Sequence, residues 1–310
     1  MIKTESIHRT VLLNEAIKGL NLRNGATVVD ATFGGGGHSA EICKKYPGTK
    51  IIVFDQDRSA LERGKEKFKD RDISFYNLNF RDLDKVLEKE NGGKVDGIIF
   101  DLGLSSDQLE DCGRGFSFMK DEPLLMTMKE NPTKEDVTAE DVVNTWGEES
   151  LADIIYGYGE EKQARRIAKE IVEFRKKQEI KTTFDLVKII EKAIPARFAR
   201  ASARRARFRK GRIHFATKTF QAIRIAVNDE LGALSEGLEK GFNFLKKDGR
   251  ISVITFHSLE DRIVKKFYKN KEESGEGKRV NKKIIVPSES EVKNNPRARS
   301  AKLRVLEKIK

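Results

Sequence analysis

Along the first hundred positions, apolar residues fall in short β-branched runs separated by charged stretches of helical period. Thr27–Ala31, Ile51–Phe54, Ile73–Tyr76 and Gly97–Phe100 read as strands, and the segments near His38–Tyr46, Arg58–Lys69 and Arg81–Glu90 as helices. Strands alternating with helices of this length predict βαβ units and a parallel sheet covered on both faces. The pattern changes after Asp101. Residues 107–128 carry Gly113, Gly115 and Pro123 and predict a loop. Helical periodicity dominates 139–194, with Trp146 expected in its core. Alternation then resumes: an amphipathic helix over Lys218–Leu245, a strand over Ile251–Phe256, a helix over Leu259–Tyr268 and a last strand over Ala301–Leu306. The polar stretch Lys271–Lys283 predicts a mobile loop. The expected class is α/β, a Rossmann-like and mostly parallel sheet formed by 1–106 and 206–310, with an inserted helical domain over 107–205.

Composition narrows the partners. Of 310 residues, 38% are hydrophobic, enough for a sizeable core. Lys and Arg number 61 against 49 Asp and Glu, a net charge of +12. That excess favours an anionic partner, nucleic acid or an anionic membrane surface. No apolar run approaches the ~18 residues of a membrane span, and the N-terminus lacks the apolar stretch of a signal peptide. Cys43 and Cys112 lie far apart, and His8, His38, His214 and His257 share no metal-ligand spacing. These features predict a cytoplasmic protein with no membrane association, no disulfide framework and no resident metal.

The chemistry gathers after the strands. The segment Asp30-Ala31-Thr32-Phe33-Gly34-Gly35-Gly36-Gly37-His38-Ser39 joins a strand to a helix. Its glycines let the backbone approach a ligand, and a helix N-terminus offers free N–H groups. Asp55 follows Gly34 by 21 residues, at the end of the next strand, where a carboxylate can accept both ribose hydroxyls of an adenosine cofactor. Loop and acid fit a dinucleotide or S-adenosylmethionine (SAM). The absence of a strict G-x-G-x-x-G and the presence of Asp30, which would repel a pyrophosphate, favour SAM. Asp101 ends the fourth strand and points to the same crevice. It is the candidate catalytic residue, orienting either a target amine or the methionine end of SAM. Phe80 and Gln108 are placed to flank the adenine. His257 and Ser258 read as a strand-to-helix cap.

Several longer stretches resemble the RsmH (MraW) family: the glycine loop through Ser39, Asp101–Glu110, Arg114–Met119, Thr219–Glu230, His257–Lys266 and Asn295–Ser300, together with His8–Glu15. The resemblance runs from near residue 8 to near residue 306. It implies a class I SAM-dependent methyltransferase with an inserted substrate-recognition domain. The implied activity is methylation of the exocyclic N4 of a P-site cytidine in 16S ribosomal RNA of the small ribosomal subunit. It carries the family's cofactor contacts to Gly36, Gly37, His38, Asp55, Phe80, Asp101 and Gln108. Two departures stand out. Leu125 and Thr127 replace an acidic and a basic residue after the Arg114–Met119 motif. Phe215 and Lys218 replace a proline and an arginine after His214.

From Ala193 to Asn228 there is no acid, while ten Lys and Arg occur, Arg197, Arg212, Lys218 and Arg224 among them. Phe198, Phe208 and Phe215 are interleaved. Such a tract suits a phosphate backbone and unpaired bases, and Arg297 and Arg299 are candidates for further phosphate contacts. Two other readings stay open on the residues themselves. One is a nicotinamide-dependent dehydrogenase, which leaves the basic tract unexplained. The other is a non-catalytic RNA-binding assembly factor on the same scaffold.

Overall fold

The computed structural model describes residues 10–90, 93–105, 108–109, 113–194 and 214–310. They form two compact units, Met1–Ser105 with Leu231–Lys310, and Ser106–Glu230.

The first unit is built on a seven-stranded sheet. Its strands are β1 (Thr27–Asp30), β2 (Lys50–Phe54), β3 (Ile73–Tyr76), β4 (Val95–Asp101), β5 (Leu245–Thr255), β6 (Gly277–Arg279) and β7 (Lys302–Lys308), in the order β3-β2-β1-β4-β5-β7-β6. The first five in that order run parallel, whereas β7 is antiparallel to β5 and β6. Side chains alternate between faces along a strand, so consecutive residues serve two cores. Val28, Ile51 and Val53 pack with Ala16, Ile17 and Leu20 of α1 (Leu13–Leu20), Ile42 of α2 (Gly37–Lys45) and Leu61 of α3 (Arg58–Lys67). Val29, Ile52 and Phe54 pack on the opposite face with Leu83 and Leu87 of α4 (Leu83–Leu87) and the later helices of the unit. The order reverses between β1 and β4, and ligands of open α/β sheets sit beyond the strand ends at such a switch point.

The second unit is helical where it is described: α5 (Ala139–Thr145), α6 (Glu148–Gly157), α7 (Ala164–Arg175), α8 (Thr183–Ala193) and α9 (Thr217–Asn228). Capping boxes at Thr138/Asp141 and Thr182/Asp185 start α5 and α8. Val142, Leu151, Ile155, Ile167, Ile171, Leu186 and Ile190 are buried. Trp146 is half-buried at the C-terminal end of α5 rather than in the core.

The amphipathic stretch expected as one helix over Lys218–Leu245 is two, α9 and α10 (Glu230–Phe244). Asp229 between them is left-handed, with φ 44°, and its N–H bonds the Ile225 carbonyl. Hydrophobic periodicity continues across such a break, and Asp tolerates this conformation better than most residues. The break also marks where the units change. The expected boundary at 205/206 lies outside the described residues, and α9, expected in the sheet domain, belongs to the second unit. The segment expected as a mobile loop over 271–283 is partly regular. Helix α11 (Ser258–Glu273) runs into it, and β6 pairs with β7, tied by an ion pair of Arg279 to Glu272. Pairing satisfies backbone groups whatever the side chains, so polarity alone misleads there. α12 (Glu289–Asn294) and a 3-10 turn over Pro296–Ser300 lead into β7, with Arg297 and Arg299 exposed.

One ring holds the loop after β1. Phe33 is 4% exposed and stands edge-on to Phe68 and Phe75, with centroids 6.0 and 5.5 Å away. A Cβ at Gly64 of α3 would lie 2.5 Å from this ring. Gly64→Ala therefore forces Phe33 to shift and should destabilise the protein by about 1–3 kcal/mol, as overpacked cores do. Urea denaturation measures this, and an unchanged midpoint would mean that the ring is free to move.

Candidate functional site

Three acidic side chains terminate parallel strands of the first unit: Asp30 on β1, Asp55 after β2 and Asp101 on β4. Asp30 is 1% exposed. Its Oδ2 accepts the Ser39 hydroxyl at 2.6 Å and its Oδ1 the Thr32 N–H at 3.4 Å. Thr32 in turn ties the loop to the next strand, its Oγ1 accepting the Asp101 N–H at 2.6 Å. Asp55 Oδ2 accepts the Gly34 N–H at 2.7 Å and its Oδ1 the Asp57 N–H at 2.8 Å. Asp55 thus positions the loop from the neighbouring strand.

The loop glycines serve different ends. Gly34, with φ 51°, faces open space, its virtual Cβ meeting only Ser105 at 3.9 Å. Gly36, with φ 69°, has Phe33 and Phe68 where a side chain would go, at 2.7 and 2.9 Å. A Cβ on Gly37 would strike Thr10 Oγ1 at 1.7 Å. Gly36 and Gly37 therefore present only backbone. His38, buried in the first turn of α2, places Nδ1 3.8 Å from Asp101 Oδ2. Phe80 opens a 3-10 turn after β3 and stands edge-on to Phe100 at 5.4 Å. The first unit thus brings Gly36, Gly37, His38, Asp55 and Asp101 to the carboxyl end of its sheet. Gln108 belongs to the second unit.

The electrostatics are unusual. Burial, with the charge of Asp55 added, pushes Asp30 up from 3.8 to about 6. Burial, then the charges of Asp30 and Glu260, pushes Asp101 up to about 7. Asp101 Oδ1 is buried without a hydrogen-bond partner among the described residues. No lysine or arginine pairs with Asp30 or Asp101 among them either. Asp30 is buried and the Asp101 side chain is 20% exposed, and two partly ionised carboxylates with no lysine or arginine paired to them suit a cation.

Glu260 is an acid of the site that the sequence does not single out. It is 3% exposed, and its Oε2 accepts the Phe256 and His257 N–H groups at 2.7 and 3.2 Å. His257 Nδ1 in turn accepts the Glu260 N–H, so the strand-to-helix cap is a complete capping box. The spacing of His257 and Glu260 signals the box; only the fold brings its charge to bear on Asp101. Thr32 was missed as well, since a threonine beside glycines carries no signal of a strand-bridging role.

The departures from the family pattern fall in the second unit. Thr127 is 4% exposed, and the Arg114 guanidinium donates to its carbonyl and to that of Met128 at 3.3 and 2.9 Å. Asn228 clamps the same stretch, donating to the Met126 carbonyl and accepting the Met128 N–H, at 2.7 and 2.8 Å. The segment is held through its main chain by Arg114 and Asn228, and Thr127 Oγ1 adds a bond by accepting the Lys129 N–H at 3.2 Å. Arg224, counted within the basic tract, is committed to Glu230 by two bonds of 2.8 and 2.9 Å. Lys218 donates to the Glu160 carbonyl at 2.8 Å. His8, Cys112 and the tract over 195–213, with Phe198 and Phe208, lie outside the described residues.

A glycine loop on β1, an acid ending β2 and an acidic, cation-seeking switch point suit the sulfonium and ammonium groups of SAM and oppose a pyrophosphate. The fold and this site define a class I SAM-dependent methyltransferase. The model of the MraW methylase family matches residues 5–309, and the chain belongs to that family. A Clostridium botulinum (strain Kyoto / Type A2) protein named Ribosomal RNA small subunit methyltransferase H is 47% identical, over 97% of this chain and 99% of its own length. Proteins of the same name from Limosilactobacillus fermentum and Clostridioides difficile are each 43% identical, over 98% and 97% of this chain and 98% and 99% of their own. No described helix is long and apolar enough to cross a membrane.

The raised acids make stability pH-dependent in a definite direction. The folded value of Asp101, about 7, lies above its unfolded 3.8. Its contribution is therefore complete below about pH 4 and is lost as pH rises through about 7. Asp101→Asn removes that loss. The variant without cofactor should exceed the wild type in stability by roughly 1–3 kcal/mol near pH 8 and match it near pH 4. Thermal unfolding across this range tests it, and a difference that does not vary with pH would exclude a raised value.

Proposed function

We propose that this protein transfers a methyl group from SAM to the exocyclic N4 of a P-site cytidine in 16S ribosomal RNA of the small ribosomal subunit. The single observation that supports this best is the partnerless buried Oδ1 of Asp101 at the switch point of a methyltransferase sheet. The relatives' name supplies the substrate class.

In this reading Asp55 receives the ribose hydroxyls of SAM, the backbone of Gly36, Gly37 and His38 lines the cofactor, and Phe80 and Gln108 flank the adenine. When bound, SAM supplies a methyl group already activated by its sulfonium. The protein's task is alignment and exclusion of water. A cytosine amino nitrogen is a weak nucleophile because its lone pair is delocalised into the ring. Asp101 Oδ1 accepts an N4–H, draws the lone pair out of conjugation and takes the proton as the N–C bond forms. A carboxylate with a pKa of about 7 is well matched to that proton. Asp30 supports the charge of the methionine end. The second unit, with its acid-free basic stretch, recognises the RNA, and the target base leaves its stack to reach the crevice. No metal ligand or covalent adduct enters this scheme, and the cytoplasm, where ribosomes assemble, is its setting.

The decisive experiment incubates the protein with radiolabelled SAM and small subunits lacking the modification, followed by nucleoside analysis. Labelled N4-methylcytidine at one position is expected, with Asp101→Ala slower by about 10²-fold or more, in the range of a lost acid–base contribution. Label in another nucleoside would overturn the assigned target. SAM binding without transfer to any RNA would leave an assembly factor on this scaffold as the alternative.

SAM affinity should also rise with pH. A cation favours ionised Asp30 and Asp101, whose values are about 6 and 7, so binding near pH 6 releases protons. Titration calorimetry in buffers of different ionisation heat detects this release. Equal apparent heats in all buffers would place the cation away from these acids.

A further inference from the structure

Aromatic rings from two distant segments gather in the second unit. The His214 imidazole lies nearly flat on Phe118, with centroids 4.6 Å apart and planes 17° from parallel. Phe215 leans on the imidazole at 4.1 Å and 33°. Phe220, 4% exposed, meets Phe118 edge-on at 5.3 Å and forms the buried foot of the cluster. Phe118, His214 and Phe215 remain half-buried, and the adjoining Met119 is 77% exposed. Rings that serve packing alone gain from full burial, yet three of these four retain exposed surface.

The imidazole is fixed. His214 Nδ1 accepts the Ala216 N–H at 3.3 Å, which leaves the ring proton on Nε2. Burial holds its pKa below the ordinary value, so at neutral pH the ring is an uncharged plane with one donor at its rim. The chain that includes this histidine is acid-free from Ala193 to Asn228 and holds ten Lys and Arg. Phosphates and π-faces occur together in single-stranded nucleic acid, and a ring platform adjoining a cationic stretch of chain suits that class rather than an apolar peptide.

We propose that Phe118, His214 and Phe215 form a ledge on which an unpaired base of the RNA stacks, distinct from the carboxylates that hold the cofactor. The inference rests on the RNA-methylating reading and adds a base-binding subsite to it.

The test compares anisotropy of a labelled short oligocytidylate with that of an abasic ribose-phosphate oligomer of equal length, which keeps the charge and removes the bases. The wild type should bind the oligocytidylate about tenfold tighter, the scale of one base–aromatic stack. Phe118→Leu should abolish most of that preference and leave the salt dependence unchanged, because no phosphate contact is lost. Phe118→Trp should restore it. Phe215→Leu, on the exposed side of the cluster, repeats the test should Phe118→Leu not fold. Equal binding of the two oligomers by the wild type, or an undiminished preference in folded leucine variants, overturns the ledge. Failure of the wild type to bind either oligomer overturns the ledge and the RNA reading together. A base preference without methyl transfer to subunits supports the ledge and overturns only the catalytic reading.

Discussion

Two carboxylates at the ends of adjacent parallel strands, Asp30 buried and Asp101 half-buried, with no lysine or arginine paired to them among the described residues, are the constraint around which the first unit is arranged. An isolated buried charge costs several kcal/mol, and a protein selected only for stability would not keep two. Asp30 and Asp101 are kept on β1 and β4, where the strand order reverses and a crevice is unavoidable. What lies near them offsets part of that cost. The Ser39 hydroxyl and Thr32 N–H reach Asp30, and the Asp101 main chain is tied to Thr32. The remainder is left for a ligand. On the proposed function the site is thus poised, since the cationic cofactor supplies the stabilisation that these acids lack.

That poise depends on a loop that cannot drift. Phe33 is wedged among Phe68, Phe75 and the bare backbones of Gly36 and Gly64. The Gly34 N–H is held by Asp55 from the neighbouring strand. Of the glycines here, Gly36 makes room for the protein's own ring, while Gly34 leaves the space beside the acids open. A Gly-rich loop is usually read as yielding to the ligand. In this chain half of its smallness serves the anchor that keeps the other half in place.

This division explains how much was legible beforehand. The strands over 27–30, 51–54 and 97–100 were readable because a strand buried on both faces is a continuous apolar run, and the acids that end them follow directly; the edge strand over 73–76, half-buried throughout, gave a weaker signal. The grouping of Asp55 and Asp101 followed from spacing and the switch-point rule, and that of His38 from the family resemblance. Other features were not local. Glu260 raises the Asp101 value only because α11 starts where β5 ends beside β4. The break at Asp229 leaves hydrophobic periodicity intact and so does not show in it. β6 exists because β7 offers it backbone partners, not because its residues favour strands. Arg224 was counted with the basic tract because sequence shows charge and not its partner; Glu230, six residues on, takes it up.

The chain's net charge of +12 and its acidic crevice oppose each other only if the two are thought to meet the same part of the substrate. An RNA presents two chemically distinct parts, a phosphate backbone and neutral bases. A basic protein surface attracts the backbone through counterion release, without regard to sequence. The same backbone is repelled from Asp30 and Asp101, which at neutral pH carry at least partial negative charge. A base swung out of its stack carries no charge and meets no such barrier, and its amino group brings donors that the partnerless Asp101 oxygen lacks. On the proposed function, opposite charges on one protein thereby sort a single polymer: phosphates are held away from the crevice and only the nucleobase is admitted to it. On the proposed function, the acids that make the cofactor site cationophilic also act as a filter for what may approach the methyl group.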